Sequence, residues 1–401
     1  MSHLFWYPGH ELILDDIVRA ENCHLYDSRG RRYVDLESGV WCTSIGHAHP
    51  RILRLLAEQP AKIGHTGFCY TAGLVEDAAL AFLSLLGLDG GKVVFLCSGS
   101  EAVEYGVRLA QSVCNRPLLL TMKDSYFGAY GSASRKDENE WFCFDWAKCA
   151  DCPASRKCAQ SCPRWATIPF DRIGGFLFEP GSSSGLVRFP PAKLIASIVS
   201  TLQERGGLVL VNEVTTGVGR TGLWFGFQHY GIAPDIVAIG KGIGNGYPVS
   251  VTAVAPGVVG RLRGQPVKYA QSHQNDPLGA AVALEVLRVL REEGLIERGR
   301  EVGAALTAGL EAIRARTGGI REIRGRGLMI AVEMVDDAET TLTIRTHREL
   351  VRRGFILGRR PGVPVLRCDP SLTIGRADIE SFLEALEDVL AGPADPEDSC
   401  Y

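Results

Sequence analysis

Two stretches of the sequence decide the fold: Gly207-Leu-Val-Leu-Val-Asn-Glu-Val-Thr-Thr-Gly-Val-Gly-Arg-Thr-Gly222 and Asp235-Ile-Val-Ala-Ile-Gly-Lys-Gly-Ile-Gly-Asn-Gly-Tyr-Pro248. The first begins with an apolar run that predicts a buried strand, and this run ends in a polar Asn-Glu pair. The second has another apolar run, which ends at Lys241 among glycines. Glycine lets the backbone pass close to a bound ring or phosphate. A lysine at the mouth of an apolar run can act as an amine nucleophile, so Lys241 is the first candidate catalytic residue.

Outward from these stretches, apolar strands alternate with helical stretches from about residue 50. Strands are predicted at 92–96, 117–121, 175–178 and 208–211. This alternation is typical of a mostly parallel sheet covered by helices. Residues 12–36 alternate apolar and polar side chains between turn signals, which predicts short antiparallel strands. Two helices are predicted over 276–315, and residues 316–393 mix short strands with a helix at 377–390, which indicates a second, smaller domain.

The composition excludes several classes of protein. The chain has 401 residues, of which 46% are hydrophobic and 22% charged, as in soluble globular proteins. Its net charge of −3 offers no basic field for nucleic acid. No apolar run approaches the roughly 20 residues that span a membrane. Residues 1–8 have no basic segment before an apolar one, so no signal peptide is expected. We therefore expect a cytoplasmic protein that binds neither nucleic acid nor a membrane.

Three further segments carry candidate binding residues. Ser98-Gly99-Ser100 stands between a strand and a helix, where backbone N–H groups and hydroxyls can hold a phosphate, although an ordinary helix cap would look the same. The others are Ser125-Tyr-Phe-Gly-Ala129 and Gln271-Ser-His-Gln-Asn-Asp-Pro-Leu278. With the two opening stretches, these segments resemble the motifs of the class III (ω-type) aminotransferases in the same order along the chain.

The resemblance runs from about residue 12 to 390 and implies a fold, a cofactor and an assembly. Such enzymes have the α/β fold called PLP fold type I, in which a large domain contains a mainly parallel seven-stranded sheet. Both termini build a small α+β domain, here expected at 1–50 and 301–401, around a cofactor-binding large domain at 51–300. Family members bind pyridoxal 5′-phosphate (PLP) as a Schiff base to the lysine that Lys241 matches. They act on small-molecule amino acids as homodimers with shared active sites.

The resemblance also implies roles for single residues. The phosphate contacts of the family fall on Ser98, Gly99 and Ser100. The ring contacts fall on Tyr126, Asn212, Val214 and Thr215. Tyr126 would stack on one face of the ring and Val214 would cover the other, while Thr215 replaces a glutamine that reaches the ring hydroxyl. Ser272 matches a threonine that reaches the phosphate in the partner subunit.

At Asn212 the sequence departs from the family, which has aspartate there. A carboxylate beside the ring nitrogen favours its protonated form, which makes the ring a deeper electron sink. An amide has no such charge, and it can donate to an unprotonated nitrogen or accept from a protonated one. We therefore expect an aminotransferase acting on an α-amino acid. A racemase, epimerase or lyase acting on one amino acid is the alternative that Asn212 favours. The intact Lys241 counts against a third interpretation, a binding protein that has lost catalysis.

Arg367 bears on the substrate. It matches the arginine that binds the α-carboxylate in the family, and a guanidinium suits such bidentate contact. A surface arginine is the alternative. Family members that use both α-acids and ω-amines often mask this arginine with a glutamate, but Ser184 stands at that position here. Ala129 occupies the place of an arginine for a distal carboxylate. We therefore expect one substrate class, an α-amino acid with a small or uncharged side chain.

A cysteine-rich insert is predicted at 136–165. It contains Cys149, Cys152, Cys158 and Cys162 in the spacing Cys-x2-Cys-x5-Cys-x3-Cys, out of twelve cysteines in the chain. In a reducing compartment such crowding indicates metal binding before disulfides. Four thiolates suit either an iron–sulfur cluster or a structural zinc ion. Zinc commonly uses two Cys-x2-Cys knuckles and only one is present, so an iron–sulfur cluster is favoured. Zinc is the alternative, and free or disulfide-bonded thiols remain the third interpretation.

Overall fold

A seven-stranded sheet forms the centre of the molecule, and two four-stranded sheets accompany it. The computed structural model describes residues 3–6, 10–67, 69–150, 152, 158, 162–262, 267–336 and 339–392. Parts of the predicted cysteine-rich insert (151, 153–157 and 159–161) lie outside the described residues. So does the end of the predicted C-terminal domain, 393–401.

The described regular elements are as follows. The strands are β1 (Ile17–Glu21), β2 (His24–Asp27), β3 (Arg32–Asp35), β4 (Lys92–Leu96), β5 (Leu118–Met122), β6 (Trp141–Phe144), β7 (Ile173–Phe178), β8 (Leu208–Asn212), β9 (Ile236–Ile239), β10 (Ser250–Val254), β11 (Ile320–Arg326), β12 (Met329–Met334), β13 (Phe355–Ile356), β14 (Gly358–Arg359) and β15 (Val365–Cys368). The helices are α1 (Ser38–Trp41), α2 (Pro50–Lys62), α3 (Gly73–Leu86), α4 (Gly99–Val113), α5 (Ser132–Arg135), α6 (Ala192–Glu204), α7 (Pro256–Arg261), α8 (Pro277–Glu292), α9 (Leu295–Thr317), α10 (Thr341–Arg352) and α11 (Arg376–Ala391).

The central sheet has the order β4-β10-β9-β8-β7-β5-β6. Strand β10 runs antiparallel to both of its neighbours, and the other ladders are parallel. Every residue of β5, β7, β8 and β9 is buried, because helices cover both faces of a parallel sheet. The predicted strands and the mainly parallel, seven-stranded α/β architecture are confirmed.

Strands β6 and β10 of the central sheet were not predicted. Residues of β6 lie inside the predicted insert, yet they pair with β5 and form an edge of the central sheet. Only four residues long, β6 buries its first and last side chains, Trp141 and Phe144. A strand this short shows too few alternations for a period to be recognised in the sequence.

One of the two remaining sheets joins strands from both ends of the chain. The antiparallel strands β1 to β3 form one sheet, as predicted for 12–36, and β13 joins β3 in a parallel ladder. Strands β11, β12, β15 and β14 form the third sheet. Helices α8, α9 and α11 occupy the segments where helices were predicted. Among the described helices, none combines the length and apolar character needed to cross a membrane.

Candidate active site

Loops at the carboxyl ends of the parallel strands surround a cavity of about 160 Å³. Strands β4, β5, β8 and β9 end close to it in sequence, so one edge of the sheet gathers their polar termini. The lining residues are Gly99, Ser100, Val103, Tyr126, Phe127, Gly128, Ser183, Asn212, Val214, Thr215 and Lys241. Six predicted cofactor-binding positions besides Lys241 therefore lie around the same cavity as the lysine.

Lys241 follows β9 in a left-handed backbone conformation with φ of 48°. Its Nζ donates a hydrogen bond to Thr215 Oγ1 at 2.9 Å and lies 4.7 Å from the centroid of the Trp41 ring. Burial lowers the pKa of the Lys241 amine, and the positive charge of Arg367 acts in the same direction, while nearby Cys42 and Glu179 oppose it. A larger fraction of the amine is therefore neutral and nucleophilic than in a solvated lysine.

Asn212 ends β8 and is 3% exposed. Its Oδ1 accepts from the Val214 N–H at 3.1 Å, and its Nδ2 donates to the Tyr126 carbonyl at 3.1 Å. If the Asn212 amide were flipped, its NH₂ would face the Val214 N–H and its oxygen would face the Tyr126 carbonyl. These two contacts therefore define the orientation of the amide. One Nδ2 hydrogen remains available, and the group contributes no negative charge to the cavity.

Two glycines bring the loops together around Val214. A Cβ placed on Gly99 would lie 2.6 Å from Val214 Cγ1, and one on Gly240 would lie 3.3 Å from the same atom. Only glycine permits this approach at position 99. Tyr126 lines the same cavity with 48% of its surface exposed, and its N–H donates to Glu179 Oε2 at 3.0 Å. Its neighbour Phe127 is buried in the core and also borders the cavity.

Helix α4 directs its N-terminus at the cavity. The N–H groups of Gly99 and Ser100, at its first two positions, have no partner inside the helix and suit an anion. Ser100 Oγ accepts from the Ala129 N–H at 3.0 Å. Ser98 forms a capping box with Glu101, in which Ser98 Oγ accepts from the Glu101 N–H at 3.2 Å. Ser98 therefore acts as an ordinary helix cap. Within the described chain it is not among the residues that line the cavity.

Ser272 is the predicted cofactor residue that lies apart. It is exposed on the loop before α8 and is absent from the described lining of the Lys241 cavity. The loop is tied to β4, since Asn275 Oδ1 accepts from the Phe95 N–H at 2.9 Å.

Arg367 lies on β15, in a flat slot between an indole ring and a backbone strand. Its Cζ is 4.0 Å from the centroid of Trp41. A Cβ placed on Gly358, its partner on strand β14, would lie 2.5 Å from Nη2, so a side chain at position 358 would displace the guanidinium. Arg367 is 8% exposed, which argues against a surface arginine. It is outside the described lining of the cavity, but it shares the Trp41 ring with the amine of Lys241.

The acidic partner of Arg367 was not predicted. Nη2 donates to Glu37 Oε1 at 3.2 Å, and Nε lies 4.0 Å from Asp369 Oδ2. Burial raises the pKa of Glu37, against the opposing effect of the Arg367 charge. At Ser184, where the family glutamate would stand, the hydroxyl is buried and has no partner within the described chain. A carboxylate from another part of the chain thus contacts the arginine.

The turn α1 brings Glu37 and Trp41 to this position. All four of its residues have positive φ, from 45° at Ser38 to 64° at Trp41, so the turn is left-handed. Such a backbone costs roughly 1–2 kcal/mol for each residue with a Cβ, and Val40 is also β-branched. Ser38 Oγ stabilises the turn by donating to the Asp369 carbonyl at 2.6 Å and accepting from Arg220 at 3.0 Å. Strained backbone of this kind clusters at functional sites.

Two of the four predicted metal ligands contact helix α6. The Cys158 N–H donates to Ser197 Oγ at 3.1 Å, and the Cys152 carbonyl accepts from Lys193 at 2.9 Å. Backbone N–H groups of residues 164 and 165 lower the pKa of the Cys162 thiol. Burial raises the pKa of Cys149, and the other three thiols of the group add to this effect, so the four lie within electrostatic range of one another. All described cysteines are free thiols.

The sequence and fold have clear relatives. The family described as aminotransferase class-III matches residues 7–390. An acetylornithine aminotransferase from Mycobacterium tuberculosis is 30% identical over 93% of this chain and 91% of its own. A leucine/methionine racemase from Thermococcus litoralis is 27% identical over 93% of this chain and 90% of its own.

Solved structures agree with the predicted fold. An S-selective transaminase from Arthrobacter sp. superposes with a TM-score of 0.86 over 97% of this chain and 96% of its own, at 22% identity. At that identity the likeness establishes the fold, and the family match over most of the chain establishes the membership. The chain belongs to the class III aminotransferases and is a PLP-dependent enzyme of fold type I.

Proposed function

We propose that this enzyme transfers the amino group of an α-amino acid, with Lys241 as the residue that carries PLP and moves the proton at the substrate Cα. The observation that carries the proposal is the Lys241 amine, which has a lowered pKa and lies in a cavity at the carboxyl edge of the sheet. The family membership supports the same reaction.

The donors and the apolar groups that line this cavity suit PLP. When bound, PLP supplies an electron sink for the charge that develops at Cα. The Ser100 hydroxyl and the first N–H groups of α4 would hold its phosphate. Tyr126 and Val214 would cover the two faces of its ring, and the space that Gly99 leaves keeps Val214 close. Asn212 would meet the ring nitrogen through an amide whose orientation two backbone contacts define.

Thr215 and Lys241 would handle the proton. The Thr215 hydroxyl holds the amine through the 2.9 Å hydrogen bond, and the lowered pKa leaves more of the amine free to accept a proton from Cα. The same nitrogen would then return the proton as a general acid. Arg367 would bind the α-carboxylate, since its guanidinium and the Lys241 amine both lie close to the Trp41 ring, at 4.0 Å and 4.7 Å from its centroid.

Racemisation of an amino acid is the second candidate. It is favoured by Asn212, since a ring nitrogen without a carboxylate partner makes a weaker sink and suits simple proton exchange at Cα. The 27% identical relative from Thermococcus litoralis, a leucine/methionine racemase, supports keeping this candidate.

A single-turnover experiment separates the two reactions. The holoenzyme would receive one amino acid at a time in D₂O, without any keto acid, and pyridoxamine phosphate and α-deuterium would be quantified. We expect pyridoxamine phosphate in an amount equal to the active sites. Deuterated, racemised amino acid with no pyridoxamine phosphate would overturn amino-group transfer and support the racemase.

We also propose that Cys149, Cys152, Cys158 and Cys162 hold an iron–sulfur cluster, with zinc as the alternative. The spacing of the four cysteines supports the proposal, and so do the backbone N–H groups of residues 164 and 165, which lower the pKa of the Cys162 thiol, because thiolates bound to metals commonly accept such bonds. A reducing cytoplasm would keep these thiols available. The contacts with α6 suggest that the metal fixes the loop to the large domain.

Metal analysis of anaerobically purified protein tests this proposal. We expect iron with matching acid-labile sulfide, lost in Cys158→Ser and retained in Cys114→Ser, whose thiol bonds to Gly174 outside the group. Zinc without sulfide would select the alternative. Absence of both metals would mean that the cysteines serve no metal.

We further infer a homodimer with shared active sites and domains divided near residues 50 and 300. The exposed position of Ser272, away from the Lys241 cavity of its own chain, supports a role in the partner subunit. The parallel ladder between β3 and β13 supports one small domain from both termini. Sedimentation analysis tests the dimer, and Ser272→Ala is expected to weaken PLP binding without changing the oligomeric state.

A further inference from the structure

We propose that Glu37 competes with the substrate's carboxylate for Arg367 and thereby sets the choice between α-amino acids and primary amines without a carboxylate. The inference rests on the carboxylate-binding role proposed above for Arg367. Glu37 does not line the cofactor cavity, and while it is bonded to Arg367 it does not touch the substrate. Glu37 acts through the arginine and is therefore a specificity-determining position.

Two carboxylates lie next to Arg367, and only one can leave. The Asp369 side chain is fully buried, whereas 24% of the Glu37 side chain is exposed. Glu37 also makes the direct contact, at 3.2 Å, while Asp369 stays 4.0 Å from the guanidinium. Because Glu37 borders solvent, its carboxylate can rotate away and be hydrated, and the released guanidinium then faces an incoming anion.

The backbone around Glu37 stays fixed during such an exchange. The Glu37 N–H donates to Asp35 Oδ1 at 2.9 Å, and its carbonyl accepts from the Trp41 N–H at 3.0 Å. Within the described chain, the bond to Arg367 is the one polar contact of the Glu37 carboxylate. Trp41 and Gly358 meanwhile hold the guanidinium plane between them. One side chain can therefore exchange while the slot keeps its shape.

The exchange affects two kinds of substrate in opposite ways. An α-amino acid must displace Glu37 before its carboxylate reaches Arg367, so part of its binding energy is lost to that step. A primary amine without a carboxylate leaves the ion pair intact and avoids burying an unpaired guanidinium, which is costly. Glu37 thus weakens the binding of acids and permits the binding of amines. The loss of the glutamate at Ser184 does not by itself restrict the enzyme to one substrate class.

Calorimetric titration of the holoenzyme with butyrate, a carboxylate that lacks an amino group, tests the competition. The proteins are the wild type, Glu37→Gln, Arg367→Gln and the double variant. We expect Glu37→Gln to bind butyrate about tenfold more tightly, the scale of one hydrogen bond between charged groups. In the Arg367→Gln background the same change should have no effect, because the group for which the anions compete is gone.

A kinetic comparison provides the second measurement. L-2-Aminobutyrate and propylamine differ only in the carboxylate, and the ratio of their kcat/KM values should shift about tenfold towards the acid in Glu37→Gln. Glu37→Asp, with a shorter carboxylate, should fall between the two. Unchanged PLP absorbance and thermal unfolding serve as controls for folding.

The outcomes separate the two proposals. If Arg367→Gln binds butyrate as well as the wild type does, Arg367 is not the carboxylate site and the substrate role in the proposed function fails. If Arg367→Gln loses binding while Glu37→Gln binds butyrate equally or more weakly, Glu37 merely positions the arginine. The competition is then wrong and the substrate role of Arg367 stands.

Discussion

The two sides of the site are built in different ways. On the cofactor side, Lys241, Asn212 and Tyr126 lie at or just after the carboxyl ends of strands of one sheet, and hydrogen bonds between the ends of different strands position them. On the carboxylate side, Glu37 and Arg367 meet across 330 positions through a left-handed turn. Strand ends gather at one edge of a parallel sheet whatever the details of the loops, whereas the carboxylate side depends on one unusual backbone conformation. The cofactor side should thus tolerate change outside its key residues better than the carboxylate side.

The largest effect is expected on the cofactor side, at Lys241. Lys241→Ala removes both the attachment point of PLP and the proton carrier, so kcat should fall by roughly 10³-fold or more. Thr215→Val keeps the shape and removes only the partner of the amine, and its kcat should fall by about tenfold or less. Steady-state kinetics on both variants, with circular dichroism to verify folding, measures the difference. Equal losses would contradict the separate roles.

Asn212 gives the next largest effect. Asn212→Asp supplies a charge to the ring nitrogen, so the single-turnover rate of amino transfer should rise by about tenfold. The same change sets a carboxylate against the Tyr126 carbonyl that Nδ2 now contacts, which should lower the stability of the apoprotein by about 1–3 kcal/mol. Rapid-mixing absorbance and thermal unfolding of the apoprotein measure the two effects. A faster enzyme with unchanged apoprotein stability would mean that the Tyr126 contact is unimportant.

The cofactor side could be predicted from the sequence better than the carboxylate side. The strands ending before Ser98, Tyr126 and Lys241 could be predicted, because apolar runs and their polar ends are local signals. The Glu37–Arg367 pair could not, because it depends on contacts between distant segments. Gly39 is the single hint of the left-handed turn, and it is flanked by residues that normally avoid positive φ. The strand β6 was missed because four residues show too little periodicity.

The left-handed turn can be tested by its strain. Val40 has φ of 58° and is 47% exposed, so its side chain adds little burial to offset the strain. Val40→Gly should be more stable than Val40→Ala by about 1 kcal/mol, because both lose the two γ methyl groups and they differ in the Cβ that disfavours positive φ. Chemical denaturation of the two variants measures this difference. If Val40→Ala is the more stable of the two, the turn does not adopt this backbone in solution.

The smallest effect concerns the electrostatic link between the two sides. Burial lowers the pKa of Lys241, and the charge of Arg367 lowers it further, while Cys42 and Glu179 raise it. Arg367→Gln removes one of the lowering causes, so the amine should hold its proton to a higher pH. The rate at which the apoprotein reacts with PLP depends on the neutral amine. The pH at which this rate rises should therefore move upward by less than about one pH unit.

Arg353→Gln, on an exposed ion pair with Glu349, is the matched control and should leave the pH profile unchanged. A shift of the same size in both variants would mean that net charge alone is responsible. A shift confined to Arg367→Gln would mean that the carboxylate side, although built separately, adjusts the reactivity of the lysine across the Trp41 ring.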